Sequence, residues 1–191
     1  MPPADAFGSR PMSIRRPDPR HPGGETPLDE DPLASAFWIR GFRREDADAV
    51  REIVFGVLAE FGLPPDHAGT DVDLSDIELH YLARGGGFWV VEDGRGRIVG
   101  TCGLWLDPDD PASCELRKMY LLPDWRGRGL GGQLLEVALA HARGTGRARI
   151  ELETNRAMTA AIGLYESRGF REIEGETCGR CDRLFALDLS G

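Results

Sequence analysis

The sequence predicts an α/β (α+β) fold, a mixed central sheet of about seven strands flanked by about four helices. Three observations carry this. Short β-rich runs alternate with longer stretches whose apolar residues recur at helical spacing. The runs follow the order β-α-α-β-β-β-α-β-α-β-β, which opens and closes on antiparallel neighbours and so excludes an all-parallel sheet. A glycine-rich segment, PDWRGRGLGG at 123–132, lies between an apolar strand and an apolar helix.

In chain order, FWIRGF (37–42) reads as a first strand. Val50, Ile53, Val54, Val57, Leu58 and Phe61 then recur at helical spacing, predicting an amphipathic helix from about Glu45 to Glu60. GLPPDHAGT is a loop, and VDLSDIELHYLA predicts a second, shorter helix. After glycines 85–87, FWVVE (88–92) and IVGTCGLWL (98–106) flank the turn DGRGR and predict a hairpin. CELRKMYLL (114–122) is the next strand. The helix after the glycine segment carries Leu130, Leu134, Val137, Ala138 and His141 on one face, and GTG (144–146) closes it. ARIELET (148–154) is a strand, MTAAIGLYESR (158–168) a helix, and strands at 170–174 and 182–189 finish the chain.

Residues 1–36 are dense in proline and charge, with scattered apolar residues and no period. They bury too little surface to offset the entropy of ordering, which predicts a disordered tail ahead of a domain at 37–190. The net charge of −9 disfavours nucleic acid as a partner. No apolar run approaches the ~20 residues that span a bilayer, so no membrane partner is expected. MPPADAFGSRPMSIRR lacks the apolar core of a signal peptide, which makes the cytoplasm the default location. Four cysteines are present. Cys178 and Cys181 form C-G-R-C, a spacing that suits zinc or a redox disulfide, but Cys102 and Cys114 lie on separate strands and supply no second close pair. Buried, reduced thiols are the expectation.

The glycine segment satisfies two patterns. Gly127, Gly129 and Gly132 fit the dinucleotide fingerprint G-x-G-x-x-G, with Glu151 near the place of a ribose-binding acid. Against this, four residues separate the strand from the first glycine. The motif also comes late, and too little chain follows for further parallel units. Arg126, Gly129 and Gly131 fit R-x-x-G-x-G. The longer string L-x-P-x-x-R-G-x-G-L-G resembles motif A of the GNAT superfamily of N-acetyltransferases, and LYESRGF (164–170) resembles its motif B at the expected distance. The resemblance covers about 37 to 190. It implies a sheet splayed between its fourth and fifth strands and acetyl-CoA as co-substrate. It also implies direct transfer to a primary amine in a ternary complex, without a metal.

Carried over by position, the resemblance assigns the backbone of Met119, Tyr120 and Leu121 to the pantetheine arm. It assigns Arg126, Gly127, Arg128, Gly129, Leu130 and Gly131 to the pyrophosphate. Glycines there let amides face the anion, and the helix start adds its positive end. Tyr165 stands where many members protonate the coenzyme A thiolate, with packing as its alternative role. Glu115 stands where the histone-acetylating branch keeps a base. Its alternatives are a solvated carboxylate or a partner of Arg117 or Lys118, with water relaying the proton. His80 is a lesser candidate base, and His67 and His141 read as loop and helix-surface residues. Many members carry an asparagine where Met158 stands here, and Asn155 lies three residues earlier.

The acceptor, a small-molecule or peptide amine, is framed in the family by the segment after the first helix and by the region before the last strand. Asp66, Asp71, Asp73, Asp76 and Glu78 lie in that first segment, where they either attract a cationic amine or form a solvated loop and helix start. Family members are often homodimers. The alternative function is a coenzyme A-binding sensor without turnover.

Overall fold

The computed structural model describes residues 36–190, so the tail expected over 1–36 lies, but for its last residue, outside them. Among the described residues the elements are β1 (Phe37–Gly41), α1 (Ala47–Glu60), α2 (Ile77–His80), β2 (Gly87–Asp93), β3 (Ile98–Leu106) and β4 (Ser113–Leu121). They continue with α3 (Leu130–Gly144), β5 (Arg149–Thr154), α4 (Thr159–Ser167), β6 (Arg171–Ile173) and β7 (Arg183–Asp188). The seven strands form one sheet in the order β1-β2-β3-β4-β5-β7-β6. Every described pairing is antiparallel except β4 with β5.

Strand alternation sends neighbouring residues to opposite faces. Val90 of β2 packs with Val50, Val54, Val57 and Leu58 of α1 on one face. Val91 joins Leu130, Leu134 and Ala138 of α3 and Ile162 of α4 on the other. The sheet is thus covered on both sides by the amphipathic stripes that the sequence shows.

The helix expected over VDLSDIELHYLA is instead three short pieces: a 3-10 turn at Val72–Ser75, the four-residue α2, and a 3-10 turn at Leu82–Arg84. Asp76 is the cause. Its backbone, at φ −151° and ψ 88°, leaves the helical region, and its carboxylate accepts the Leu79 N–H at 2.9 Å. A side chain that bonds locally in this way competes with helix continuation.

Two features of β4 shape the centre of the molecule. It pairs with β5 only at Ser113↔Arg149, Cys114↔Ile150 and Glu115↔Glu151, and then the two strands part. On its other side it stays with β3, but the register shifts between Thr101 and Gly103. Lys118 lies in that irregularity at φ +53°, the one described non-glycine residue with positive φ. Thr101 holds the bulge by donating its hydroxyl to Lys118 O at 2.7 Å. Bulges re-aim side chains. This one turns the Lys118 ammonium inward, to Thr70 O at 2.6 Å, Asp71 Oδ1 at 2.9 Å and Asp73 Oδ1 at 3.3 Å.

Asp71 is the hub. Besides Lys118 it accepts both terminal nitrogens of Arg180, at 2.5 and 2.6 Å, and the Asp66 N–H at 2.9 Å. Asp73 accepts the buried Tyr81 hydroxyl at 2.5 Å. Burial pushes the Asp71 carboxyl upward, but the bonds from Arg180, the Asp66 amide and Lys118 outweigh it and hold the group well below the usual carboxylate range.

Removing one member of a buried charge set leaves the others uncompensated. Asp71→Ala is therefore expected to lower stability by about 3–5 kcal/mol in urea unfolding at neutral pH. Because the folded ionisation is depressed, this contribution is complete above the unfolded value near ~3.9 and disappears as pH falls through the folded value. The two proteins should therefore converge in stability in acid.

Candidate active site

A cavity of about 500 Å³ fills the gap where β4 and β5 part. Its floor is β4 from Glu115 to Tyr120. Glu153 and Thr154 of β5 and Met158, Ala161 and Tyr165 of the α4 region form one wall. Asp66, Gly69 and Thr70 and the 178–181 turn, joined through Asp71 and Arg180, complete the lining. Beyond Glu115 the β4 backbone facing β5 has no strand partner, so it offers its peptide groups to whatever enters.

Tyr165 is buried, with its ring 5.8 Å from Phe170 and its hydroxyl 4.0 Å from Met119 Sδ. Burial pushes its ionisation well above that of an ordinary phenol, so it enters the cavity as a protonated donor. Glu115 is the last β4 residue paired to β5. Its carboxylate meets the Arg117 guanidinium, which lies over the Trp105 ring at 4.2 Å. Burial raises the Glu115 ionisation against the pull of Arg117. The structure thus brings Tyr165, Glu115, Met119 and Tyr120 to one cavity. Leu121 lies just past it, at the end of β4.

The glycine segment follows as the strand-to-helix junction. Gly127 and Gly129 take φ +74° and +78°, a region that L side chains rarely adopt. Gly129 is the N-cap of α3 and brings no side chain to the first helical amides. A Cβ added to either glycine would meet nothing within 4 Å, so the loop surface is open. Uncapped helix-start amides beside open backbone fit a pyrophosphate. The arginines are placed less simply. Arg126 grips Glu60 of α1 with both terminal nitrogens, at 2.6 and 2.7 Å, and gives Nε to Leu121 O at 2.9 Å. Its charge is matched within the protein, and it acts as a strut from the loop to α1. Arg128 is exposed, 4.7 Å over Trp125, and free to turn toward an anion.

The acidic run is mostly consumed by the fold. Asp71 and Asp73 lie in the buried network, Asp76 caps α2, and Glu78 pairs with Arg44. Asp66 lines the cavity, yet its two oxygens hold the amides of Gly69 and Thr70 at 2.9 and 3.0 Å. His67 packs against Phe55, and His80 does not line the cavity. His141 is no free surface residue: its Nε2 meets Gly85 O at 2.9 Å and its ring packs on Trp89. Met158 lines the cavity. Asn155 instead accepts the Ala157 N–H at 3.0 Å and donates to Arg180 O at 2.9 Å, which braces the 178–181 turn. Cys102 and Cys114 are buried, whereas Cys178 and Cys181 are half-buried on the cavity wall beside Glu153. Sequence reasoning missed Glu153 in the site, although its place one turn of the pleat from Glu151 in ARIELET put both on one face.

The chain matches the acetyltransferase (GNAT) family over residues 57–170, more than half of its length. It belongs to that family. YjgM of Escherichia coli (strain K12), an uncharacterised N-acetyltransferase, is 37% identical over 139 residues, covering 71% of this chain and 83% of YjgM. Human N-acetyltransferase 8B is 38% identical over 105 residues, which cover 52% of this chain and 45% of the human protein. A GNAT-family acetyltransferase of Staphylococcus aureus Mu50 superimposes with a TM-score of 0.75 at 26% identity, covering 81% of this chain and all of its own. The yncA protein of Salmonella typhimurium, solved with its cofactor acetyl-CoA, shares the fold with a TM-score of 0.66 at 24% identity over 82% of this chain and 96% of its own. The GNAT assignment, with one parallel strand pair in the described sheet, sets aside the dinucleotide pattern. No helix among the described residues is long and apolar enough to cross a membrane.

If Arg126 is a strut to α1, a double-mutant cycle with Glu60 in ligand-free protein should give a coupling of about 0.5–1 kcal/mol in denaturant unfolding. A guanidinium reserved for a ligand would give none.

Proposed function

We propose that this GNAT protein transfers the acetyl group of acetyl-CoA directly to a primary amine, with both held at once in the cavity between β4 and β5. The observation that carries this is the meeting, in one cavity, of an unpaired strand edge, a protonated phenol and a carboxyl of raised ionisation. Acetyl-CoA would supply the activated acetyl thioester. The chain would supply position and protons. The backbone of Met119, Tyr120 and Leu121 would hold the pantetheine arm as a neighbouring strand would, and the 126–131 loop would hold the pyrophosphate. The acetyl-CoA bound to the yncA protein supports this choice by likeness of fold.

Tyr165 would hold its proton ready for the departing sulfur. Glu115, at the closed end of the gap, would take the proton of the incoming amine, directly or through water. A small-molecule or peptide amine would enter alongside the Asp66–Thr70 segment and the 178–181 turn, which both line the cavity. The cytoplasm is the location this reading takes, and the net charge of −9 disfavours nucleic acid as a partner.

Acetyl-CoA at a hundred times its dissociation constant should stabilise the protein by roughly 2.7 kcal/mol, a rise of about 5–10 °C in melting temperature, where NADH and ATP should not. Tyr165→Phe should lower kcat by about 10²–10⁴-fold with acetyl-CoA affinity nearly unchanged. Binding without turnover in the wild type, over a broad amine panel, would favour a coenzyme A sensor. A base works only when deprotonated, so kcat/KM should rise with pH through the Glu115 ionisation, which burial raises. Glu115→Gln should flatten that limb, and a limb that persists would remove Glu115 from the role.

A further inference from the structure

On the wall of the cavity stands a cluster that acetyl transfer does not use. Glu153 of β5 and the two cysteines of the C-G-R-C turn offer one carboxylate oxygen and two sulfurs, all within 4.8 Å of one another. Such a set does not arise from local sequence, since Glu153 and the turn come together only through the pairing of β5 with β7.

The turn is built rather than loose. Cys181 N–H donates to Cys178 O at 2.9 Å, and Thr177 Oγ1 donates to Cys181 O at 2.8 Å. Arg180 is pinned at both ends, its carbonyl by Asn155 and its guanidinium by the two oxygens of Asp71. Cys178 N–H donates to Glu153 Oε2 at 2.8 Å, which orients the carboxylate toward the sulfurs. Orienting bonds of this kind surround metal ligands.

We propose that Glu153, Cys178 and Cys181 bind a thiophilic divalent cation of the zinc class. The C-x-x-C bite is the usual close pair of zinc sites, and a carboxylate is an accepted third ligand. Tetrahedral ligands on bonds of roughly 2.0–2.3 Å stand apart by distances that lie within the 4.8 Å spread of the three donors. Two thiol protons leave to solvent as the thiolates bind. Two thiolates and a carboxylate exceed a divalent cation by one negative charge. All three ligands face the cavity, so the remaining coordination position opens there and not into the core.

The carboxylate separates this reading from a redox disulfide. In its charged form that carboxylate opposes the thiolate that exchange requires. A cation uses all three groups. The site is independent of the acetyl-transfer reading, and its test reads metal rather than turnover.

Tag-free full chain, reduced and stripped with chelator, would be titrated anaerobically with Co²⁺. The expected result is saturation at one equivalent, with a thiolate-to-metal charge-transfer band that one equivalent of Zn²⁺ removes. Cys178→Ser and Cys181→Ser should each lose the band, and Glu153→Gln should weaken Co²⁺ at least about tenfold. X-ray absorption of the Zn²⁺-loaded wild type, which needs no variant to fold, should count two sulfur ligands. No saturable uptake, a band that survives loss of both cysteines, or a zinc shell without sulfur would each overturn the site. So would a pair that closes to a disulfide in air while excess Zn²⁺ is present.

Discussion

The structure depends on how briefly β4 and β5 stay together. Three residue pairs hold them, and the strands then part around a cavity. A sheet that stayed zipped would have spent the β4 backbone groups on its neighbour. Parting leaves them free inside the molecule and puts Glu115, the last residue of β4 paired with β5, at the fork. It also lets α4 present Tyr165 across the gap, opposite Met119. The cavity is therefore a product of strand pairing, and its side chains decorate a site that the backbone has already formed.

An unpaired strand and a lysine in left-handed conformation both cost free energy. The compensation lies directly beneath them. The bulge at Lys118 delivers an ammonium to Asp71 and Asp73, and Asp71 is also gripped by Arg180. A buried network of paired charges in a low-dielectric setting fixes position strongly, because removing any member leaves a buried charge unmatched. The rigidity of the cavity floor comes from this network as much as from the sheet.

Much of this was legible in the sequence because it is local and periodic. IVGTCGLWL reads as a strand and is one from Ile98 to Leu106. The stripe from Val50 to Leu58 is buried as its spacing requires. The glycine segment was ambiguous between two phosphate patterns until LYESRGF, one strand and one helix later, decided it. Reading failed where a single residue overrides a period, as Asp76 does between Ser75 and Ile77. It failed again where partners are distant in the chain. Nothing in CELRKMYLL announces that Lys118 turns inward, because the bulge belongs to the pairing with β3. In the same way, the hold of Arg126 on Glu60 appears only once α1 packs beside the loop.

The Asp71 hub also bears on how such proteins can be altered. One carboxylate joins the segment after α1, the bulge of β4 and the turn before β7, three stretches far apart in the chain. All three stretches line the cavity between β4 and β5. Grafting the first of them alone from a relative would strand Lys118 and Arg180 as buried cations with no anion between them. The three stretches are therefore one unit in any redesign, and a library that varies the first must keep the Asp71 carboxylate or change Lys118 and Arg180 with it.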